Sequence, residues 1–377
     1  MNRVVICRSN PVAPDPRVTK AAAALAAAGY SVGIIGWDRT GKLPREENLH
    51  PQIGITRERI VAKYASGIGN LPALLRWQSR LLRLLLKRRK QYDIIHACDF
   101  DTILPSLILK TVSGKKVVYD IFDFYADHLR KTPAFLKKMV GWLDRIAINR
   151  ANAVILADES RKEQIHGTRT RHLEVICNTP EDLAVNLEES RNKSAFSIAY
   201  VGLLQVERGL LELLQVMEKH PEWKLTLAGF GGDEQRLQKA AARLPNVTWL
   251  GRIRYEEALR ISAAADALVA TYDPSIPNHK YASPNKLYEA MLLSKPIIVA
   301  RETNMDAIVE QWDMGLVVHY GDIPALESAI ATLASDAELR KALGQNARRA
   351  YDSDYNWDIM RERLLNLYAR VSAGGEA

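Results

Sequence analysis

Short apolar runs, each followed by a stretch with helical spacing, recur along the whole chain. Residues 4–7, 31–36, 93–97, 117–120, 153–157 and 174–177 read as buried strands in the first half. Residues 197–202, 224–229, 247–250, 267–271, 296–300 and 316–318 do the same in the second. Helical spacing fills the gaps, notably over 17–28 and 72–90, and further helices are predicted to begin near Gly209, Glu234, Glu256 and Pro284. Continuous apolar strands joined by helical crossovers predict parallel sheets covered on both faces, an α/β class. The charged stretch 178–194 carries few large apolar residues and reads as a linker. The pattern thus predicts two doubly wound domains, 1–185 and 186–354, with ligands expected at the carboxyl ends of the strands.

Composition adds exclusions. At 377 residues the chain is long enough for two cores, and its 47% apolar and 25% charged content is that of a soluble globular protein. Cys7, Cys98 and Cys177 are scattered, odd in number and without CxxC spacing, which argues for a reducing compartment and against a disulfide framework or zinc site. No secretory leader precedes the first strand and no run reaches membrane-spanning length, so a cytoplasmic location is expected. Charge is uneven. Residues 1–190 hold 30 Lys and Arg against 20 Asp and Glu, whereas 191–377 hold 22 against 24. The basic first half points to an anionic partner.

One stretch combines a helix start with candidate chemistry: SPNKLYEAMLLSKPIIVA, residues 283–300. Ser283 is a good N-cap and Pro284 suits the first helical position. A helix start presents free N–H groups and a positive dipole end to an anion, and Lys286 adds a charge in the first turn. Glu289 follows one turn later.

With that stretch, YVGLLQVERGLLELL (200–214), LAGFGGDEQRL (227–237) and VTWLGRIRYEEALRISAAADALV (247–269) stand in an order that resembles glycosyltransferase family 4. The first half is similar through PDPRVTKAAAALAAAGYSV and YDIIHACDFDTILP. The resemblance covers nearly the whole chain. It implies the GT-B fold, two Rossmann-like domains facing across a cleft, with a C-terminal helix over 355–377 crossing back to the first. It also implies an enzyme that moves a sugar with retention from a UDP- or GDP-sugar. Arg208 falls where the family has its diphosphate-binding lysine, beyond the Gly202 turn, and its planar fork suits two phosphate oxygens. Lys286, with the N–H groups of Asn285 and Lys286, would meet the same diphosphate. Glu289 would accept the ribose hydroxyls. Gly231 and Gly232 would let backbone approach the donor, and Arg252 and Ile253 would border the base. Ser283, Leu287 and Tyr281 complete the donor set. No cofactor and no metal is implied, because cationic side chains and a helix start meet the diphosphate charge.

The departures are specific. Eight positions before Glu289 the family usually has a second glutamate, and this chain has Tyr281. In YDIFDFYADH the family commonly has a histidine, and this chain has Phe122, followed by Asp123, Asp127 and His128. Asp123 and His128 are candidates for the missing role. Asp99 and Asp101 have DxD spacing but lie in the first domain, so they and Arg17 are candidates for the acceptor side. No GxGxxG follows the first strand, which counts against a dinucleotide oxidoreductase.

LLRWQSRLLRLLLKRRK (74–90) sets Leu74, Trp77, Leu81, Leu84 and Leu85 against a basic face, as a helix lying on an anionic membrane does. A crossover helix needs the same pattern. The expectation is a metal-independent, retaining glycosyltransferase with a lipid-linked or other membrane-proximal acceptor, peripheral on the inner face of the plasma membrane. A nucleotide-sugar epimerase, a soluble small-molecule glycosyltransferase and a basic nucleic-acid-binding protein are the alternatives. The last would need interleaved aromatics, and the basic helix has only Trp77.

Overall fold

The computed structural model describes residues 2–12, 14–62, 70–129, 132–182 and 195–373. The chain divides into two compact units, one of Met1–Cys177 with Met360–Ala377 and one of Asn178–Ile359. Most of the predicted linker, 183–194, lies outside the described residues.

The first unit holds β1 (Arg3–Arg8), β2 (Ser31–Asp38), β3 (Glu46–His50), β4 (Ile53–Arg59), β5 (Ile94–Cys98), β6 (Lys116–Ile121), β7 (Ala153–Leu156) and β8 (Leu173–Val175). Its helices are α1 (Pro16–Ala27), α2 (Leu71–Lys87), α3 (Phe100–Ser113), α4 (Tyr125–His128) and α5 (Ala134–Arg150). The sheet order is β3-β4-β2-β1-β5-β6-β7-β8, parallel except for β3 on β4. Six of these strands follow the apolar runs; the β3–β4 ribbon does not. Every β3 residue is exposed, and β4 turns Arg57 inward between Ile55 and Arg59. Arg57 is 2% exposed, donates to the carbonyls of Pro11 and Pro44, and pairs with Glu47 at 2.5 Å. A buried but fully partnered arginine breaks the alternation that would reveal the strand.

The right-handed crossovers β4–α2–β5, β5–α3–β6 and β6–α5–β7 all step the same way along the sheet. They place α2, α3 and α5 side by side on one face, with α3 packed against both neighbours. That placement accounts for the middle of the apolar face of α2. Trp77, Leu81 and Leu85 are fully buried, and Trp77 stacks on Trp37 of β2 with centroids 5.5 Å apart. The central apolar stripe of α2 is therefore spent on its own sheet, while Leu71, Leu75 and the basic side stay exposed.

The second unit holds β9 (Ser197–Leu203), β10 (Lys224–Phe230), β11 (Val247–Gly251), β12 (Ala267–Ala270), β13 (Ile297–Ala300) and β14 (Gly315–Val318), all parallel in the order β11-β10-β9-β12-β13-β14. Its helices are α6 (Leu210–Lys219), α7 (Glu234–Ala241), α8 (Tyr255–Ala264), α9 (Pro277–Lys280), α10 (Asn285–Leu292), α11 (Met305–Trp312), α12 (Ile323–Ser335) and α13 (Ala337–Ala350). The strand order reverses between β9 and β12, the point where such sheets open a crevice at their carboxyl ends. The last helix, α14 (Trp357–Ala373), gives most of its length to the first unit. There the Tyr368 hydroxyl lies 2.8 Å from His96 Nδ1, and the Cys177 N–H donates to the Met360 sulfur at 3.3 Å.

Candidate donor site

At the switch point of the second sheet the chain leaves β9 through Gly202, makes a short 3-10 turn over Val206–Arg208, and enters α6 at Gly209. Gly209 has φ +70, and a Cβ there would lie 2.2 Å from Thr271 Oγ1, so only glycine lets this turn press on the end of β12. Gly229 and Gly231 serve the same closeness. Cβ atoms on them would fall 1.7 Å from the Gly202 carbonyl oxygen and 2.2 Å from that of Leu204. Gly231 thus holds two turns together, whereas Gly232 has open space around it.

Arg208 and Lys286 come together on two buried tyrosines. The Arg208 guanidinium stands 3.9 Å from the centroid of Tyr272, just beyond β12. The Lys286 ammonium lies 3.3 Å from the centroid of Tyr200 on β9 and 5.6 Å from that of Tyr272. Lys286 is 7% exposed, and neither its Nζ nor Arg208 Nε has a hydrogen-bond partner among the described residues. Burial first, and then the Arg208 charge, hold the lysine well below its ordinary range; Glu289 works against both. A buried ammonium held beside a half-buried guanidinium, offset only in part by Glu289, costs free energy that an anion would recover.

Lys286 and Glu289 lie three residues apart on α10, hence on one face. Glu289 is buried and accepts from the Tyr255 hydroxyl, whose own pKa is pushed up by burial and by that carboxylate. The start of α10 differs from expectation. Pro284, with extended backbone, occupies the N-cap position and Asn285 opens the helix. Ser283 instead shares a 2.7 Å hydrogen bond with the Tyr288 hydroxyl, because its side chain is buried beneath the helix rather than beside its end. Leu287 is wholly buried and leaves only its backbone for a ligand.

Around this centre, Arg252 lies 4.5 Å over the ring of exposed Phe230, a flat cationic platform beside half-buried Ile253. Lys280 Nζ is 5.8 Å from the ring centroid of Tyr281. Asn278 on α9 is buried with both side-chain amide atoms unpartnered among the described residues. Tyr200, Tyr272, Tyr255 and Asn278 escaped the sequence reading, since nothing in their spacing separates them from core residues.

In the first unit the described candidate side chains are each engaged with a neighbouring residue. Arg17 pairs with Asp120 at 2.7 Å and donates to the Ile176 carbonyl, so its charge is met. Asp99 pairs with Arg8 and accepts from the Phe122 N–H at 2.8 Å, while Asp101 accepts from Ser9 Oγ at 2.8 Å. The DxD carboxylates therefore turn to different partners. Phe122 lies 4.0 Å from the Arg8 guanidinium and 4.8 Å from that of Arg17. Asp123 accepts from Arg161 at 2.6 Å. His128 ends α4, and its side chain lies outside the described residues. His96, Cys98 and Asp120 form the one group at metal-ligand distances among the described residues. His96 is already bonded to Tyr368, and Asp120 to Arg17.

Residues 186–350 match the family described as glycosyl transferases group 1, and residues 17–179 match that described as Glycosyltransferase Family 4. The chain is 28% identical over 345 residues to the GDP-mannose-dependent monoacylated alpha-(1-6)-phosphatidylinositol monomannoside mannosyltransferase of Corynebacterium glutamicum, covering 89% of this chain and 83% of that one. Among solved structures, a sucrose-phosphate synthase from Thermosynechococcus elongatus superposes with a TM-score of 0.80 at 16% identity, covering 100% of both chains. Anabaena HepE in complex with UDP-glucose does so with a TM-score of 0.72 at 16% identity, covering 98% of this chain and 100% of that one. Two Rossmann-like units, a cation pair at the second switch point and family matches across both halves lead to one assignment: the chain belongs to glycosyltransferase family 4 and is a glycosyltransferase of the GT-B fold.

Proposed function

We propose that the enzyme transfers a sugar, with retention and without a metal, from a UDP- or GDP-sugar to a lipid-linked or other membrane-proximal acceptor. The observation that carries the donor half is the Lys286–Arg208 pair, a buried ammonium beside a half-buried guanidinium, with Lys286 Nζ and Arg208 Nε lacking hydrogen-bond partners among the described residues. A diphosphate supplies the missing charge. Arg208, Lys286 and the first N–H groups of α10 hold its oxygens, and Glu289, steadied by Tyr255, accepts the ribose hydroxyls. Arg252 and Ile253 border the base, and Tyr281 stands towards the sugar. In the transfer step the bond from the anomeric carbon to the diphosphate breaks, and the acceptor oxygen attacks on the same face. The acceptor proton passes to the leaving diphosphate oxygen. Arg208 and Lys286 stabilise the charge growing there, which is where preorganised cations act most. The Corynebacterium relative's GDP-mannose and phosphatidylinositol mannoside make a lipid-linked acceptor the favoured class. Acceptor recognition is assigned to the first unit.

The test is a panel of UDP- and GDP-sugars scored by thermal shift, followed by transfer to a phosphoinositide glycolipid with the product anomer read by NMR. Glu289→Gln and Arg208→Ala should abolish the shift while leaving the fold intact, and chelator should leave turnover unchanged. A strict Mg²⁺ or Mn²⁺ requirement would overturn the metal-free reading. Full turnover by Arg208→Ala would remove it from the diphosphate.

A further inference from the structure

The helical layer formed by α2, α3 and α5 has an outer surface unlike that of an ordinary crossover layer. Phe135, Met139 and Trp142 follow i, i+4, i+7 spacing on α5 and are 69%, 48% and 61% exposed. Leu71 and Leu75 on α2 are 49% and 56% exposed. These are large side chains in a stripe, not scattered singles. Basic residues accompany them: Arg76, Arg83 and Lys87 on α2 and Lys138 on α5 are all exposed. The acids of the three helices are Asp101 and Asp144, and both are buried. The outer face of the layer therefore carries cations and aromatic or aliphatic side chains with no exposed carboxylate of its own.

We infer that the α2–α3–α5 face docks on an anionic lipid surface, with Phe135, Met139 and Trp142 entering the headgroup boundary and the basic residues of α2 and α5 meeting lipid phosphates. Charge decides between occupants. A symmetric contact with a second copy would set this basic face against itself, which repels. A bilayer bearing anionic headgroups attracts the cations and buries the apolar stripe together. Direction also fits. The three helices run antiparallel to the strands they cover, so the first turns of α2 and α5, with Leu71, Leu75, Phe135 and Met139, lie toward the carboxyl edge of the sheet. That is the edge at which Arg8, Asp99 and Phe122 cluster. The benefit to catalysis rests on the membrane-proximal acceptor proposed above, whereas the surface and its lipid affinity do not.

The full chain is to be sedimented with sucrose-loaded vesicles of phosphatidylcholine alone, or of phosphatidylcholine with roughly a third phosphatidylglycerol. Binding is expected to the anionic vesicles only and to weaken as salt is raised. The paired substitution Phe135→Ser with Trp142→Ser should cut binding at least about tenfold, since it withdraws two aromatic anchors. Arg83→Gln and Lys138→Gln should each lower it about fivefold. All four positions are exposed, so the fold should survive, and UDP- or GDP-sugar affinity should not change. Equal binding to neutral vesicles, or wild-type binding by the serine pair, would overturn the inference. So would a dimer in light scattering that the serine pair dissolves, because the face would then be a contact between copies. Vesicle binding without any nucleotide-sugar binding would instead sink the donor reading and leave this surface standing.

Discussion

The Lys286 ammonium rests 3.3 Å from the ring centroid of Tyr200, buried and without a hydrogen-bond partner among the described residues. The ring's negative face softens the loss of water but supplies no counter-charge. The arrangement holds a cation ready for an anion at the expense of the empty protein.

Replacement of Lys286 by Met should expose that trade. The variant keeps the aliphatic length and removes the unpartnered amine, so the unliganded protein is expected to gain about 1–3 kcal/mol. Nucleotide-sugar affinity should fall about 10–100-fold, the loss of a charge-assisted hydrogen bond. Denaturant melts and calorimetry measure the two quantities. A destabilised variant with unchanged affinity would show that Lys286 is merely structural.

Protonation gives a second prediction. The lysine's pKa is depressed in the folded, empty protein, so the unfolded chain binds more protons between that depressed value and the ordinary lysine value. The stability of the empty protein should therefore rise with pH across that window. A bound diphosphate restores the charged form, so binding should take up a proton and weaken as pH rises. UDP- and GDP-sugars suit the test because their diphosphate does not titrate near neutrality. Calorimetry in buffers of differing ionisation enthalpy reads proton uptake directly, and heats independent of buffer would contradict it.

The glycines should separate cleanly. Gly229→Ala places a methyl 1.7 Å from the Gly202 carbonyl oxygen at φ +138 and should cost about 2–4 kcal/mol. Gly232→Ala meets nothing within 4 Å and should stay within about 0.5 kcal/mol. Equal melting of the two variants would mean that the β9–β10 turns are not packed as described.

Truncation after Asp354 removes α14, whose Met360, Leu364, Leu367 and Tyr368 are buried. The first unit should lose stability in hydrogen exchange, most visibly in β5 and β6, because His96 and Asp120 lose the helix that covers them. Tyr368→Phe, which gives up only the bond to His96, should cost about 1 kcal/mol. Unchanged exchange in β5 and β6 after truncation would be incompatible with this packing.

Much of the fold was legible in the chain because a buried parallel strand is a continuous apolar run that few other elements imitate. Twelve of the fourteen strands could be read that way, and with them the glycine-rich turns that follow β9 and β10, whereas the cap of α10 fell one residue later than its sequence suggested. Arg208, Lys286 and Glu289 were singled out as candidates through the resemblance of those turns to the family's motifs. Tertiary structure decided what periodicity cannot carry. Spacing says which residues share a helix face, not whether another element covers it. The central apolar stripe of α2 is thus buried on Trp37, while the stripe of Phe135, Met139 and Trp142 on α5 stays open. Arg57 hid a strand because its partners, the carbonyls of Pro11 and Pro44, come from distant segments. Tyr200, Tyr255 and Tyr272 became candidate site residues only when β9, α8 and the end of β12 met α10 and the Arg208 turn. A side chain's charge is written in the sequence, but what that charge faces is set by which strands become neighbours.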